Sequence, residues 1–203
     1  AVTAAEKIQA IGPCCPALRT AVQKLAQAGL PNLGRSVLER LAISELKRKN
    51  PDRAELRRIA SLLAEMNYKK ASVSLIQRIP QKTPKGNLDE RYNLGNAEVL
   101  AEAGDAQSAV KMANAIKRVD TRGIALRRIA WALAQNGDQQ KAGEYFQQSA
   151  DIFHQEFTDD NATHWDSHVF SHWKTAVAAM ESKLPKVAGP LMERTANMAR
   201  QKQ

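Results

Sequence analysis

Residues 126 to 137 read Leu126-Arg127-Arg128-Ile129-Ala130-Trp131-Ala132-Leu133-Ala134-Gln135-Asn136-Gly137. Leu126, Ile129, Ala130 and Leu133 recur at steps of three and four, so they form one stripe on a helix that ends at Gly137. The residue after such a helix takes the left-handed conformation, which glycine reaches at least cost, and Asp138 is then placed to cap a second helix. That second helix carries its own stripe in Ala142, Tyr145, Phe146 and Ala150. The stretch therefore predicts helix, tight turn, helix.

The closing phrase of this stretch recurs along the chain. Leu25-Ala26-Gln27-Ala28-Gly29, Leu63-Ala64-Glu65-Met66-Asn67 and Leu100-Ala101-Glu102-Ala103-Gly104 precede Leu133-Ala134-Gln135-Asn136-Gly137, at spacings of 38, 37 and 33. Leu56-Arg57-Arg58-Ile59-Ala60 repeats the start of the longer match. Periods of this size mark stacked helical hairpins. Paired helices are expected near 16 to 28 with 32 to 48, 51 to 66 with 68 to 79, 88 to 103 with 105 to 117, and 120 to 136 with 138 to 153. The insertion Pro80-Gln81-Lys82-Thr83-Pro84-Lys85-Gly86-Asn87 accounts for one of the longer spacings. A capping helix near 3 to 11, within residues 1 to 15, precedes the four repeats of 16 to 153. Two less regular helices near 163 to 182 and 190 to 201, within 154 to 203, cap the far end.

Composition agrees with an all-α chain. Alanine occurs 33 times in 203 residues, and alanine forms helices readily while packing poorly in sheets. An apolar fraction of 43% is enough for a real core. No apolar run approaches the roughly 20 residues of a membrane span, so a soluble chain is expected. Two cysteines do not make a disulfide scaffold. The chain starts at Ala1, and the small residues Ala1 to Ala5 suit the segment after a removed signal peptide. That favours an exported, periplasmic location over a cytoplasmic one, although a cloning boundary explains the start equally well.

The repeats resemble the tetratricopeptide repeat family. Its pattern is a small residue late in the first helix, Gly at the turn, Ala five residues later, an aromatic four beyond and then a small residue; Ala130, Gly137, Ala142, Phe146 and Ser149 match it. The third copy has Ala97, Gly104 and Ala109 but Ala113 in place of the aromatic, and the second has Asn67 at its turn. The resemblance covers roughly residues 16 to 153. It implies a right-handed superhelical solenoid whose first helices line a concave groove for peptides or protein segments.

On that alignment the groove holds Arg19, Arg57, Leu94 and Arg127 at one set of positions and Gln23, Ser61, Glu98 and Trp131 at another. Arg19, Arg57 and Arg127 would bind an acidic segment bidentately beside the aromatic platform of Trp131. Similar basic residues form the carboxylate clamps of chaperone-binding members of the family, but Gln23 and Ser61 stand where those clamps have asparagine. The bland alternative is that the arginines pair with Glu and Asp of adjacent repeats.

A second cluster lies near the C-terminus, where all four histidines fall between 154 and 172 and eight of the ten aromatics between 131 and 173. His164, His168 and His172 are four apart and share a helix face, so a pair of them could chelate Zn, Cu or Ni with Asp160 or Asp166 adding an oxygen. Trp165, Val169, Trp173, Ala176 and Met180 occupy the adjoining arc, so the favoured reading is the apolar face of an ordinary helix with histidines at its border, and metal binding is the alternative. The neighbours Cys14 and Cys15 lack the two-residue gap of redox or zinc motifs and read as a turn before the first repeat.

Enzymatic motifs are missing: there is no phosphate loop, nucleophile elbow or His-Glu-x-x-His, and no cofactor is implied. The 30 Lys and Arg exceed the 21 Asp and Glu, a charge of +9. Residues 35 to 58 hold eight basic side chains, whereas Asp151, Glu156, Asp159, Asp160 and Asp166 lie in a stretch without Lys or Arg. The basic stretch has no aromatic to stack on a base, which argues against nucleic acid as the partner. The sequence thus points to a non-catalytic interaction module or scaffold for an acidic protein or peptide. Head-to-tail self-association is the next reading of the charge, a metal-binding accessory protein the first alternative function, and nucleic-acid binding through the basic half the second.

Overall fold

A computed structural model describes residues 15–80, 90–159 and 165–201. The expected helix near 3 to 11, most of the insertion after Pro80, Cys14 and His164 lie outside these residues. The chain is all-α, and among the described residues there is no strand. It divides into two compact units, Ala1–Asn87 and Leu88–Gln203.

In the first unit α1 (Cys15–Gln27) packs on α2 (Pro31–Leu46), α2 on α3 (Arg53–Glu65), and α3 on α4 (Lys69–Arg78). Leu38, Leu56, Ile59, Leu63 and Ile76 are its largest fully buried side chains. The link between α2 and α3 is fixed by polar groups. Asp52 caps α3 by accepting from the amides of Ala54 at 2.9 Å and Glu55 at 3.1 Å. The buried Glu45 accepts from the Asp52 amide at 2.6 Å and pairs with Arg48 at 2.9 Å.

The second unit contains α5 (Glu90–Glu102), α6 (Ala106–Asn114), α7 (Val119–Gln135), α8 (Gln139–Asp159), α9 (Trp165–Glu181) and α10 (Pro185–Arg200). Each helix packs on the next from α5 to α10, except that α5 also packs on α7, α7 on α9 and α8 on α10. The helix pairs are close because their contacts are small: Ala97, Ala109, Ala113, Ala130, Ala142, Ala150, Ala176, Ala179 and Ala188 are all fully buried. Phe146 and Phe153 supply the bulk among them. α8 runs six residues past its expected end at 153, because Phe157 continues the buried register of Phe146, Ala150 and Phe153.

One turn closes all the hairpins. After Leu133 the Asp138 amide donates to the Leu133 carbonyl at 3.0 Å and the Gly137 amide to the Ala134 carbonyl at 3.0 Å, the double bond of a Schellman cap. The same pair of bonds recurs around Gly29, Asn67, Gly104 and Lys183, all with positive φ. The repeated phrase is therefore the sequence of this cap. Asp105 and Asp138 accept from the Ser108 and Lys141 amides, so both cap the following helix as expected. Asn136 ties successive hairpins together by donating to the carbonyls of Ala101 at 3.0 Å and Glu102 at 3.1 Å, at the end of α5.

The turn at Lys183 makes α9 and α10 a hairpin of the same kind as those before it, where the sequence suggested only irregular caps. α10 starts at Pro185, whose missing N–H costs nothing at the first helical position, and continues through Pro190, the expected start. Lys183 has φ +59°, a conformation that charges an L side chain about 1 kcal/mol and glycine almost nothing. Lys183→Gly is expected to stabilise the second unit by roughly that amount, read as a higher urea midpoint; an unchanged or lower midpoint would contradict it.

Candidate interaction surface

The four groove residues lie in different units, Arg19 and Arg57 in the first and Arg127 and Trp131 in the second. Arg19 Nη2 pairs with Glu65 Oε1 at 2.7 Å, from α1 to α3, and both side chains are largely in solvent. This is the pairing between adjacent hairpins that the sequence offered as the plain alternative. Arg128 on α7 repeats it with Glu98 on α5 at 2.8 Å. Arg57 is half-buried on α3. Within the basic stretch of the first unit, Arg35 pairs with Glu39, Arg48 with Glu45 and Arg58 with Glu55, so the acids there answer particular arginines.

Arg127 is held differently. Its guanidinium donates to the Ser171 carbonyl of α9 at 3.3 Å, and burial, then the neighbouring Arg128, shifts its pKa downward. Arginine keeps its proton even so, and the result is a partly desolvated cation between α7 and α9. Trp131 stands one turn further along α7 and is exposed.

Ser171, where Arg127 lands, sits between exposed aromatic residues. Phe170 is 52% exposed, Trp173 46% and Met180 44%, against a unit in which Phe146, Phe153 and Phe157 are buried. The rings of Phe170 and Trp173 stack at a centroid distance of 5.7 Å and an interplanar angle of 15°. Lys174 Nζ lies 4.3 Å from the Phe170 centroid, within cation–π range. Phe170, Trp173, Val177 and Met180 are spaced by three and four residues, so they form one row on the outward side of α9. The sequence signal was present, because α9 carries apolar residues on both sides of its histidine row. Periodicity did not say which side is covered.

The covered side of α9 is small and polar: His168, His172, Thr175, Ala176 and Ala179. This corrects the expected arc, in which Trp173 and Met180 shared the apolar face with Ala176. His172 is fully buried with Nδ1 2.8 Å from Thr195 Oγ1 on α10, and its Nε2 has no partner. Burial, then Arg194 and His154, lowers its pKa from the ordinary 6.5 to about 4, with Asp151 pulling weakly upward. His168 is buried one turn before it. His164 is outside the described residues, and among those described no three His, Cys, Asp or Glu converge as metal ligands would. No described helix is long and apolar enough to cross a membrane.

No family model and no curated protein matches the chain. Among solved structures it is similar to two crystal structures from Podosopora anserina, of a protein described as a kinesin light chain with nearly identical TPR-like repeats. Identity is 18% and 19%, covering 93% of this chain and 95% and 96% of those chains, with a TM-score of 0.44 for each.

Proposed function

We propose that the chain is a non-catalytic interaction module that holds a peptide or protein segment against the outward sides of α7 and α9. The observation that carries this is the row of Phe170, Trp173 and Met180 in solvent on the helix whose Ser171 carbonyl holds Arg127, in a unit that buries Phe146, Phe153 and Phe157. Stacked rings fixed on a helix lose little entropy on binding, and aromatic residues with arginine are the usual anchors of protein interfaces. The segment that fits has large apolar side chains for the row and a carboxylate for Lys174 and Arg127.

Charge distribution favours this over a general polyanion. Residues 88–203 hold 14 Lys and Arg against 15 Asp and Glu, whereas residues 1–87 hold 16 against 6. A ligand of the second unit is thus selected by the aromatic row and by one or two local cations. Its binding should depend weakly on salt, unlike a nucleic acid, whose affinity falls steeply with each phosphate contact. The test is selection of binders from a random-peptide display library on the full chain, then titration of an enriched peptide by tryptophan fluorescence. Enriched peptides should combine aromatic or aliphatic residues with Asp or Glu, and Phe170→Ala with Trp173→Ala should weaken binding about 30-fold without loss of helicity. Unchanged affinity in the double variant would move the site elsewhere, and purely acidic, salt-sensitive binders would favour the basic first unit.

A further inference from the structure

The interior of the second unit holds a polar layer that the interaction surface does not use. Ala150 of α8, Ala176 of α9 and Leu191 of α10 pack together as one core cluster. One turn away on each helix, in the same direction through the unit, stand His154, His172 and Thr195. Thr195 Oγ1 has a single proton and donates it to the Leu191 carbonyl at 2.8 Å. It therefore accepts from His172 Nδ1–H, which assigns the ring as the neutral Nδ1–H tautomer and leaves Nε2 as a bare lone pair. That nitrogen is buried without a donor, and so is Nδ1 of His154.

Lone pairs of this kind attract a metal or a proton. A metal would need more donors than the described residues bring together. A proton on Nε2 finds no acceptor, and the new cation meets Arg194 from α10 and His154 from α8. Among the described residues the offsetting charge is Asp151 of α8, which Arg194 already engages at 2.6 Å. From α7, Arg127 donates to the carbonyl of the residue before His172. Only the neutral ring fits the closed layer. Charging it keeps the Nδ1–H bond to Thr195 but adds an Nε2–H that finds no partner among the described residues, so the penalty falls on the closed packing, and α10 packs mainly on the helix that carries this ring.

We infer that His172 and Thr195 form an acid-released latch: at mildly acid pH the charged ring frees α10 from α8 and α9 while the earlier hairpins of the unit stay folded. Release would uncover Leu191 and Met198 together with the surfaces they cover, a change of apolar exposure rather than of charge alone. The depressed pKa of His172 is consistent with this, because it places the cost of charging on the closed form.

The test is amide hydrogen exchange of the full chain between pH 7 and pH 5, corrected for intrinsic exchange rates. Protection of residues 185–200 should fall about 20-fold relative to pH 7, while residues 126–134 keep theirs. His172→Asn retains an N–H for Thr195 but cannot be protonated, so its protection ratio between the two pH values should be flat whatever its absolute stability. His154→Asn should keep the wild-type ratio. Equal loss of protection in all helices, a flat wild-type profile, or an unchanged slope in His172→Asn would each overturn the latch. Should His172→Asn fail to fold, the wild-type histidine signals in NMR decide, since the midpoint of the His172 titration must coincide with release of 185–200.

Discussion

Phe153→Ala is expected to destabilise the second unit by about 3–5 kcal/mol, the range for removing a fully buried ring from a site that cannot close around the gap. Phe153 is 1% exposed and its ring lies over Gly123 of α7. A Cβ added at Gly123 of α7 would come within 2.8 Å of Phe153 Cζ and 3.1 Å of both Cε atoms, so the ring occupies the space that any other residue at 123 would fill. Ser149, one turn before Phe153, donates to the Gly123 carbonyl at 2.8 Å and fixes the two helices at this spacing. The gap left by alanine is thus framed by a hydrogen bond and by backbone, and neither collapses easily. Gly123→Ala tests the same contact from the other side. It should cost about 1–3 kcal/mol by overpacking, and its effect combined with Phe153→Leu should be less than the sum, because the smaller side chain makes room for the methyl. Urea unfolding followed through Trp131 and Trp173 measures all three. A loss under 1 kcal/mol for Phe153→Ala would mean the helices re-pack and the crossing is not rigid.

How much of this was legible in the sequence depended on whether a feature is local. The turn phrase was readable because a Schellman cap draws on carbonyls three and four residues before the left-handed residue, so four copies carried the same letters. The fifth hairpin escaped because Lys183 stands at its left-handed position and Ala179-Met180 replaces Leu-Ala, although its two hydrogen bonds are the same. On α9 the period set out one apolar arc holding Trp173, Ala176 and Met180, whereas Ala176 is buried and the other two are exposed. With Ala150, Ala176 and Leu191 setting a close helix spacing, the small face is the one that can be buried, and Phe170 and Trp173 are left outside. The fate of Arg19 was not readable at all, since it depends on Glu65, 46 residues away on another helix. The same holds for His172, whose tautomer is set by Thr195 and Leu191 on the next helix, about 20 residues on. Local capping and periodicity fixed the helices; the surface and the buried polar layer required knowing which helices touch.

Stability of the second unit is expected to fall by about 3 kcal/mol in total as His172 becomes protonated, from the difference between its ordinary pKa of 6.5 and the folded value of about 4. The sign follows from which state binds the proton more tightly. The unfolded ring takes a proton near pH 6.5 and the buried ring only near pH 4, so between these values the unfolded chain holds more protons and each step of acidification favours it. The contribution is complete above pH 6.5, declines through the interval and levels off below about pH 4. This is the reverse of a histidine stabilised by an ion pair, which would strengthen the fold on acidification. The measurement is the urea midpoint at intervals from pH 7.5 to pH 4.5 for wild type and for His172→Asn. The variant should be the less stable protein at pH 7.5, having lost ring packing in a fully buried site, and the gap should narrow by about 2–3 kcal/mol toward pH 4.5. A gap that stays constant would mean that water or a rearranged side chain already satisfies Nε2 in the folded state, and that the buried ring carries its proton as readily as a free one.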